Sequence, residues 1–258
     1  MMDKPDQLIK SLDRALNVLE KIVQADRALG VTELSNSLGM HKSSVYRLLA
    51  TLAYRGYVKQ DKNSGYRVGI RLLELSNLVL GKLELRREIK PLLEELMEKS
   101  NETIHLGIID NGEAVYIDKV EPSQTIRMYS SVGKRIPLYC TGIGKVLLAF
   151  TAPAEMEKVI ARIELKAFTP STITDQLKFK AHLVEIREKG YALDNVEHEE
   201  GVRCVAGPIF DHQGNLTAAF SISGPVMRMT EERLPETIEL VKEYTGKMSA
   251  VLGYIANR

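Results

Sequence analysis

Apolar side chains recur at helical spacing in three segments near the start of the chain, and this pattern predicts three helices. The first covers about residues 8–24, with five apolar side chains expected to point inward: Leu12, Leu16, Leu19, Ile22 and Val23. Thr32 is a natural N-cap for a short second helix over residues 33–38. The third helix is expected to begin near Ser43 and to end at Gly56.

A short helix, a tight glycine turn and a further helix are typical of the helix-turn-helix motif, whose last helix enters the DNA major groove. At the start of the third predicted helix, five outward side chains can donate hydrogen bonds to phosphates or base edges: Lys42, Ser43, Ser44, Tyr46 and Arg47. Thr32, beside the second helix, joins them in the candidate DNA-binding set. Arg47 is the member that can bind guanine through two hydrogen bonds.

The segments YVKQD and GYRVG alternate like two short strands around a turn at residues 62–65. We interpret this hairpin as a wing that places Lys59, Lys62 and Arg67 beside the phosphates of the groove. Residues 42–71 hold seven Lys or Arg against one acidic residue. The alternative is a helical docking module with a solvated basic face, but the wing and the local charge favour DNA.

The whole chain is close to neutral, with a formal net charge of +1. Residues 1–80 carry 12 basic and 8 acidic residues, whereas the remainder carries 23 and 26. This asymmetry indicates that only the N-terminal part binds a polyanion. Two distant cysteines fit a reducing cytoplasm, and no apolar run approaches the ~20 residues of a membrane span. We therefore expect a cytoplasmic protein that does not enter a membrane.

Residues 69–100 are almost continuously helical in pattern, with interruptions expected near Gly81 and at Pro91. The first part of this segment is more apolar than one buried face requires. It fits a core helix, and it equally fits a linker helix that pairs with its twin in a dimer. Proteins that read palindromic DNA with one recognition helix per chain need such a two-fold partner.

Beyond residue 100 the pattern changes to short alternating strands with helices between them. Two hairpins are predicted, with turns at residues 110–112 and 212–215, and the segment TIRMYSS is expected to form a further strand. Helices are predicted in the segment CTGIGKVLLAF and over about residues 154–162, 175–189 and 231–255. Antiparallel strands with helices on one or both sides indicate an α+β sensor-type domain, not a βαβ nucleotide fold.

The segment TGIGK lacks the spacing of a phosphate-binding loop. It does provide two backbone amides, those of Gly142 and Ile143, at the start of a helix. Unpaired amides and the helix dipole both favour an anion, so this position suits a carboxylate.

Ser221 and Ser223 alternate along a strand and therefore point to one face of the sheet. Together with Asp194 and Cys204 they can supply the polar groups of an otherwise apolar pocket. The alternative is that both serines are strand hydroxyls without a ligand and that Cys204 is an inert buried thiol. The residues alone leave these two interpretations open.

Two further chemistries are minority interpretations. A thiol–imidazole enzyme and a metal or redox sensor would both draw on the same four residues: Cys140, Cys204, His105 and His198. Neither the signature of a catalytic cysteine nor the spacing of a zinc site surrounds them.

The sequence resembles the IclR family of bacterial transcription regulators over nearly its whole length. The resemblance lies in SLDRALNVLEKI, TELSNSLGMHKSSVYRLLATLAYRGYV, PLYCTGIGKVLLA, GYALDNVEHEEGVRCVAGPIFD and AAFSISGP. It implies a winged helix-turn-helix domain over residues 1–69, a linker helix over residues 70–83 and a GAF-like α/β effector-binding domain over residues 84–258. It also implies a homodimer or homotetramer that binds a palindromic operator and a small carboxylate, with no cofactor and no enzymatic activity.

Within that family the sequence is most similar to the repressors of pectin and hexuronate catabolism, which respond to 2-keto-3-deoxygluconate. The resemblance places the carboxylate of the effector on the amides of Gly142 and Ile143. It places four residues at polar positions of the pocket: Asp194, Cys204, Ser221 and Ser223. It places three in the apolar lining: Met128, Ile136 and Val202.

One departure from the family concerns the anion seat, because many relatives have Ser or Ala where this chain has Cys140 and Thr141. A regulator that responds to another small acid, either glyoxylate- or pyruvate-like or aromatic, is therefore the alternative. The sequence leaves open whether the effector releases the DNA or tightens its binding, and a repressor is the expectation.

Overall fold

The computed structural model describes residues 8–82, 84–125 and 129–255. The chain divides into two compact units, residues 1–83 and residues 84–258, and each has its own core. No helix among the described residues is long and apolar enough to cross a membrane.

The first unit consists of three helices, a two-stranded sheet and a fourth helix: α1 (Lys10–Val23), α2 (Val31–Leu38), α3 (Lys42–Tyr54), β1 (Val58–Gln60), β2 (Tyr66–Val68) and α4 (Arg71–Lys82). Its core is centred on Val18, Ile22, Leu34, Val45 and Leu49, which are almost fully buried. The antiparallel pair β1–β2 is attached to this core because the backbones of Leu29 and Tyr66 exchange hydrogen bonds of 3.0 and 2.9 Å. The predicted helix-turn-helix and wing are therefore both present.

Two details of the first unit differ from the sequence prediction. Gly30, not Thr32, is the N-cap of α2, and Thr32 lies within the first turn of the helix. The helix begins earlier because the extended backbone of Gly30 already supplies the carbonyl that accepts from the amide of Leu34 at 3.0 Å. In α1 the buried side chains are Val18 and Ile22, whereas three of the predicted inward residues are about half exposed: Leu12, Leu16 and Val23. The helix has more apolar positions than its own core accommodates.

The second unit is built around a six-stranded antiparallel sheet with the strand order β5-β4-β3-β8-β7-β6. Its elements are α5 (Glu84–Ser100), β3 (Thr103–Asp110), β4 (Glu113–Val120), β5 (Arg135–Ile136), α6 (Gly142–Phe150), α7 (Pro153–Ile160), α8 (Gln176–Lys189), β6 (Ala192–Asn195), β7 (Val202–Phe210), β8 (Leu216–Pro225) and α9 (Leu234–Val251). Helices α6 and α8 pack on one face of the sheet, and α5 and α9 pack together on the other.

Helix α6 starts in close contact with the sheet. A Cβ added to Gly107 of β3 would lie 2.8 Å from Cγ2 of Ile143, and one added to Gly142 would lie 3.1 Å from Cβ of Ala206 on β7. A larger residue at either position would therefore push the helix away from the strands. This contact places the first turn of α6 directly above the centre of the sheet.

The second unit also departs from the sequence prediction in several of its elements. Pro91 does not interrupt α5, because Ile89 and Leu93 are fully buried on either side of it and their packing holds the helix together. Residues 126–128 of the predicted strand TIRMYSS lie outside the described residues, and residues 129–131 are irregular. The last helix is shorter than predicted, and the short strands β5 and β6 were not predicted.

Candidate functional site

The start of α3 forms an exposed basic surface on the first unit. Because Val45 and Leu49 are fully buried, the helix turns Tyr46 and Arg47 outward, and Tyr46 is 59% exposed. Five of the six predicted DNA-binding side chains on α2 and α3 are exposed and Ser44 is half-buried: Thr32, Lys42, Ser43, Ser44, Tyr46 and Arg47.

The wing presents Lys59, Lys62 and Arg67 to solvent. Its turn is held by Asp61, whose Oδ1 accepts hydrogen bonds of 2.9 Å from the amides of Asn63 and Gly65. Arg67 also approaches this carboxylate, with Nε 3.8 Å from Oδ2 of Asp61. In the described part of the chain, Lys59 and Lys62 take part in no ion pair, so both charges are available to a polyanion.

A cavity of about 40 Å³ lies between the start of α6 and the sheet of the second unit. Eight of the nine residues that the sequence assigns to the effector pocket line it: Ile136, Gly142, Ile143, Asp194, Val202, Cys204, Ser221 and Ser223. The ninth, Met128, lies outside the described residues.

Strand register explains why residues distant in the sequence meet here. Asp194 pairs with Cys204 across β6 and β7, and Cys204 pairs with Ser223 across β7 and β8. Directly paired residues of an antiparallel sheet point to the same face, so these three side chains form one row under α6. Ser221 precedes Ser223 by two positions and points to the same face.

The first turn of α6 provides the anion seat. Thr141 caps the helix: its Oγ1 accepts from the amide of Gly144 at 3.1 Å and donates to the carbonyl of Pro137 at 2.7 Å. Its carbonyl accepts from the amide of Lys145 at 2.9 Å. The amides of Gly142 and Ile143 therefore keep no acceptor within the helix, and both residues face the cavity. An anion at this point would meet two N–H donors and the positive end of the helix dipole.

Two acidic residues line the cavity, and of these Asp194 is almost fully buried whereas Glu199 is exposed. Burial raises the pKa of Asp194 to about 7, although the amide of Glu197 donates to its Oδ1 at 2.8 Å and the nearby ammonium of Lys145 also opposes the shift. A pKa in this range makes both the ionised acceptor form and the protonated donor form accessible near neutral pH.

A buried ion pair connects the helix of the anion seat to the loop that follows Asp194. The ammonium of Lys145 contacts Oε1 of Glu197, donates to the carbonyl of Leu193 at 2.6 Å and lies 3.3 Å from Nε2 of His182. Lys145 is fully buried and Glu197 is 6% exposed. The carbonyls of this loop are also fixed, because the hydroxyls of two threonines, Thr169 and Thr172, donate to those of Val196 and Glu197 at 2.6 Å.

The two cysteines lie at the same end of the second unit but are not activated. Burial raises the pKa of the Cys140 thiol to about 12, with Asp194 and Glu197 adding to the effect. Burial and Asp194 also raise the pKa of Cys204. Sγ of Cys140 lies 3.6 Å from Nδ1 of His198. Raised pKa values keep both thiols protonated near neutral pH, which does not favour a nucleophilic role.

A metal centre finds no support in the residues that the structure describes, which contain no group of three potential His, Cys, Asp or Glu ligands. His105 contacts serines and Tyr116, and His198 contacts Cys140 and Phe168. The metal interpretation of these cysteines and histidines is therefore not supported by the described residues.

Sequence reasoning missed half of the cavity lining. The residues that it did not assign to the pocket are His105, Tyr116, Tyr129, Ser130, Lys134, Thr141, His198 and Glu199. Among them His105 is buried beside Ser223, and its ring stacks on Tyr116 with the centroids 4.6 Å apart. The alternation of residues along β3 puts His105 on the same face of the sheet as Gly107, which contacts α6. Without the strand order, however, the sequence does not reveal that this face lines the cavity.

Comparison with known proteins agrees with this architecture along the whole chain. Residues 11–62 match the IclR helix-turn-helix domain, and residues 77–250 match the C-terminal domain of the bacterial transcriptional regulator IclR. The chain is 40% identical over 254 residues to the HTH-type transcriptional regulator KdgR of Escherichia coli, covering 98% of this chain and 96% of that protein. It is 37% identical over 250 residues to the regulator XynR of the same organism, covering 96% and 99% of the two chains.

A solved structure of an IclR protein has the same fold. The crystal structure of the IclR protein of Thermotoga maritima superposes with a TM-score of 0.82 at 38% identity and covers 96% of this chain and 100% of that one. The match to the family domains, the full-length relatives and the shared fold together decide the class. The chain belongs to the IclR family and is a DNA-binding transcription regulator with an effector domain, not an enzyme.

Proposed function

We propose that this regulator is a cytoplasmic repressor that releases a palindromic operator when a monocarboxylic keto sugar acid, such as 2-keto-3-deoxygluconate, binds its effector domain. The observation that carries the proposal is the meeting of eight sequence-assigned residues around one cavity at the start of α6. The resemblance of the sequence to the hexuronate-catabolism repressors supports the same ligand class.

The chemistry of the cavity suits a ligand with one charge and several hydroxyls. The carboxylate would accept from the amides of Gly142 and Ile143, where the helix dipole favours a single anion. Ser221 and Ser223 would bond the keto or hydroxyl oxygens along the rest of the molecule. Asp194 would accept from a hydroxyl, and its ionised form would repel a second carboxylate. A dicarboxylate is therefore expected to bind more weakly.

The first unit supports the DNA half of the proposal. Arg47 and its neighbours at the start of α3 would read base edges in the major groove, while Lys59, Lys62 and Arg67 of the wing would contact phosphates.

The exposed apolar surface of α1 and its leading residues supports a dimer. Five side chains of this stripe are between 38% and 68% exposed: Leu8, Ile9, Leu12, Leu16 and Val23. A contiguous apolar surface on a helix is expected to be covered by a partner. A second copy of the chain fits, because a palindromic operator requires two-fold related recognition helices.

The proposal is tested by calorimetric titration of the full chain with 2-keto-3-deoxygluconate, pyruvate, glyoxylate, 4-hydroxybenzoate and 2-oxoglutarate. We expect saturable binding of the sugar acid, weaker binding of the others, and loss of binding in the double variant Ser221→Ala/Ser223→Ala. Ser123→Ala, which changes an exposed serine of the same unit, is the matched control and should bind like the wild type. Undiminished binding by the double variant, or preferential binding of another acid, would contradict the proposal.

A further inference from the structure

We propose that His105 is a positioning residue of the effector pocket, which sets the hydrogen-bonding direction of Ser221 and Ser223 toward the oxygen atoms of the ligand. This inference rests on the proposed function, because it takes the cavity at the start of α6 as the effector site. His105 lines that cavity together with both serines.

One continuous row of hydrogen-bonding side chains is formed by Ser221, Ser223, His105 and Ser130. His105 of β3 pairs with Ser221 of β8, and Thr103 pairs with Ser223, so the imidazole lies on the same face as both serine hydroxyls. Oγ of Ser221 lies 3.0 Å from Oγ of Ser223, and that atom lies 3.3 Å from Nδ1 of His105. At the other end, Nε2 of His105 lies 2.7 Å from Oγ of Ser130. The row therefore runs from the floor of the cavity to the segment before β5.

The imidazole is held in place and remains uncharged. His105 is 2% exposed, and its ring is stacked on Tyr116 with an angle of 22° between the planes. Burial lowers its pKa to about 3, with the ammonium groups of Lys119 and Lys134 adding to this effect. A neutral imidazole has one N–H donor and one acceptor nitrogen, so its two contacts with serines must have opposite directions.

The tautomer of His105 thus determines what Ser221 presents to the cavity. With the proton on Nδ1, the imidazole donates to Ser223, Ser223 donates to Ser221, and the Ser221 proton remains for a keto oxygen of the ligand. With the proton on Nε2, the imidazole donates to Ser130 and accepts from Ser223. Ser223 then accepts from Ser221, whose lone pairs remain for a hydroxyl donor of the ligand.

Because the hydrogen bonds along this row can run in either direction, Ser221 can serve a ligand that carries both keto and hydroxyl oxygens. Replacing the imidazole with an apolar ring would leave Ser223 without its partner inside a buried site and would remove the coupling along the row. The effect would reach the ligand through the serines, since the His105 nitrogens are already engaged by Ser223 and Ser130.

The test is a double-mutant cycle measured by calorimetry with 2-keto-3-deoxygluconate on the full chain. His105→Phe keeps an aromatic ring over Tyr116 and removes both nitrogens. We expect it to weaken binding about 5- to 10-fold, the value of roughly one hydrogen bond. In the Ser223→Ala background the same change should weaken binding by no more than about 2-fold, because the row is already broken.

His105→Asn provides the rescue, since its amide can both donate and accept close to the position of Nδ1. We expect it to retain affinity within about 2-fold of the wild type. Binding of ligand-free protein to DNA should be the same for all variants, which shows that they fold. An unchanged affinity in His105→Phe, an equal loss in both backgrounds, or a His105→Asn variant as weak as His105→Phe would overturn the inference. A wild-type chain that does not bind the sugar acid would overturn the proposed ligand class itself, and the inference with it.

Discussion

At the scale of single residues, burial decides the chemistry of the pocket. Asp194 has its pKa raised to about 7 because its carboxylate is removed from water, whereas His105 has its pKa lowered to about 3 for the same reason. One environment therefore favours the neutral form of both an acid and a base.

The pKa of Asp194 leads to a prediction about stability. Its value of about 7 in the folded protein lies above the ~3.9 of an unfolded chain, so between these values the folded protein keeps a proton that the unfolded chain releases. The free energy of unfolding contributed by this group therefore falls as the pH rises from about 4 to about 7 and is constant above.

We expect Asp194→Asn to remove this pH-dependent loss of unfolding free energy, because the asparagine side chain does not titrate. Relative to the wild type, the variant should gain roughly 2–4 kcal/mol in free energy of unfolding between pH 4.5 and pH 7.5, measured by urea denaturation at each pH. A difference between the two proteins that does not change with pH would contradict the assignment. Glu199→Gln, an exposed acid lining the same cavity, is the control and should follow the wild type.

Arg47 and Lys62 separate base recognition from phosphate contact. Arg47→Ala should cost ~1–3 kcal/mol of binding to the operator and should relax sequence preference, because a bidentate base contact is lost. Lys62→Ala should weaken binding to all DNA sequences alike. It should also reduce the salt dependence of binding by the equivalent of about one phosphate contact. The measurement is a gel-shift titration against a selected and a scrambled site at two salt concentrations. If the Arg47→Ala variant keeps the preference for the selected site, base recognition depends on other residues.

At the scale of elements, the predictions succeeded where the signal is local. The helical periods of α2 and α3 and the glycine-centred turn of the wing lie within short segments, and their types were correct. The four residues of β6, Ala192–Asn195, have no alternation that distinguishes them from a loop, and they become a strand only by pairing with β7. Likewise His105 becomes a pocket residue only because β3 lies between β4 and β8. Register and strand order are long-range properties that one sequence does not reveal.

The ion pair between α6 and the loop after β6 gives a prediction at this scale. Lys145→Met removes the only ammonium that contacts Glu197 in the described part of the chain and leaves a buried carboxylate without its partner. Breaking a buried pair in this way costs roughly 3–5 kcal/mol of unfolding free energy. Lys158→Met is the matched control, because its pair with Glu155 is more than half exposed and should contribute less than about 1 kcal/mol. If urea denaturation shows equal losses of unfolding free energy in Lys145→Met and Lys158→Met, the buried pair of Lys145 with Glu197 does not stabilise the fold as expected.

At the scale of the whole molecule, the proposed function requires two sites that respond to each other. The basic surface lies in the first unit and the cavity in the second. A ligand alters DNA affinity only if it binds the DNA-competent and DNA-free states with different affinities, and the coupling must be reciprocal. Family membership, not the geometry of either unit alone, makes this linkage the expected behaviour.

Dimerisation is the second requirement at this scale. The combined changes Leu12→Glu and Leu16→Glu place two charges in the exposed apolar stripe of α1 and should convert the protein to monomers at concentrations where the wild type is a dimer. Lys21→Glu changes an exposed residue away from the stripe and should leave the dimer intact. Sedimentation velocity distinguishes the two species. A dimer that survives both charges would place the interface outside α1.

We propose that the affinity of the operator-binding surface in the first unit is set by a sugar acid bound in the second unit. The most direct test measures fluorescence anisotropy of a duplex selected by the protein from random DNA, with increasing 2-keto-3-deoxygluconate. We predict that the ligand weakens operator binding by about 10-fold or more, the usual scale of such coupling, and has no effect on the Ser221→Ala/Ser223→Ala variant. If the ligand leaves operator affinity unchanged in the wild type, or changes it equally in the double variant, the sugar acid does not control DNA binding through this cavity.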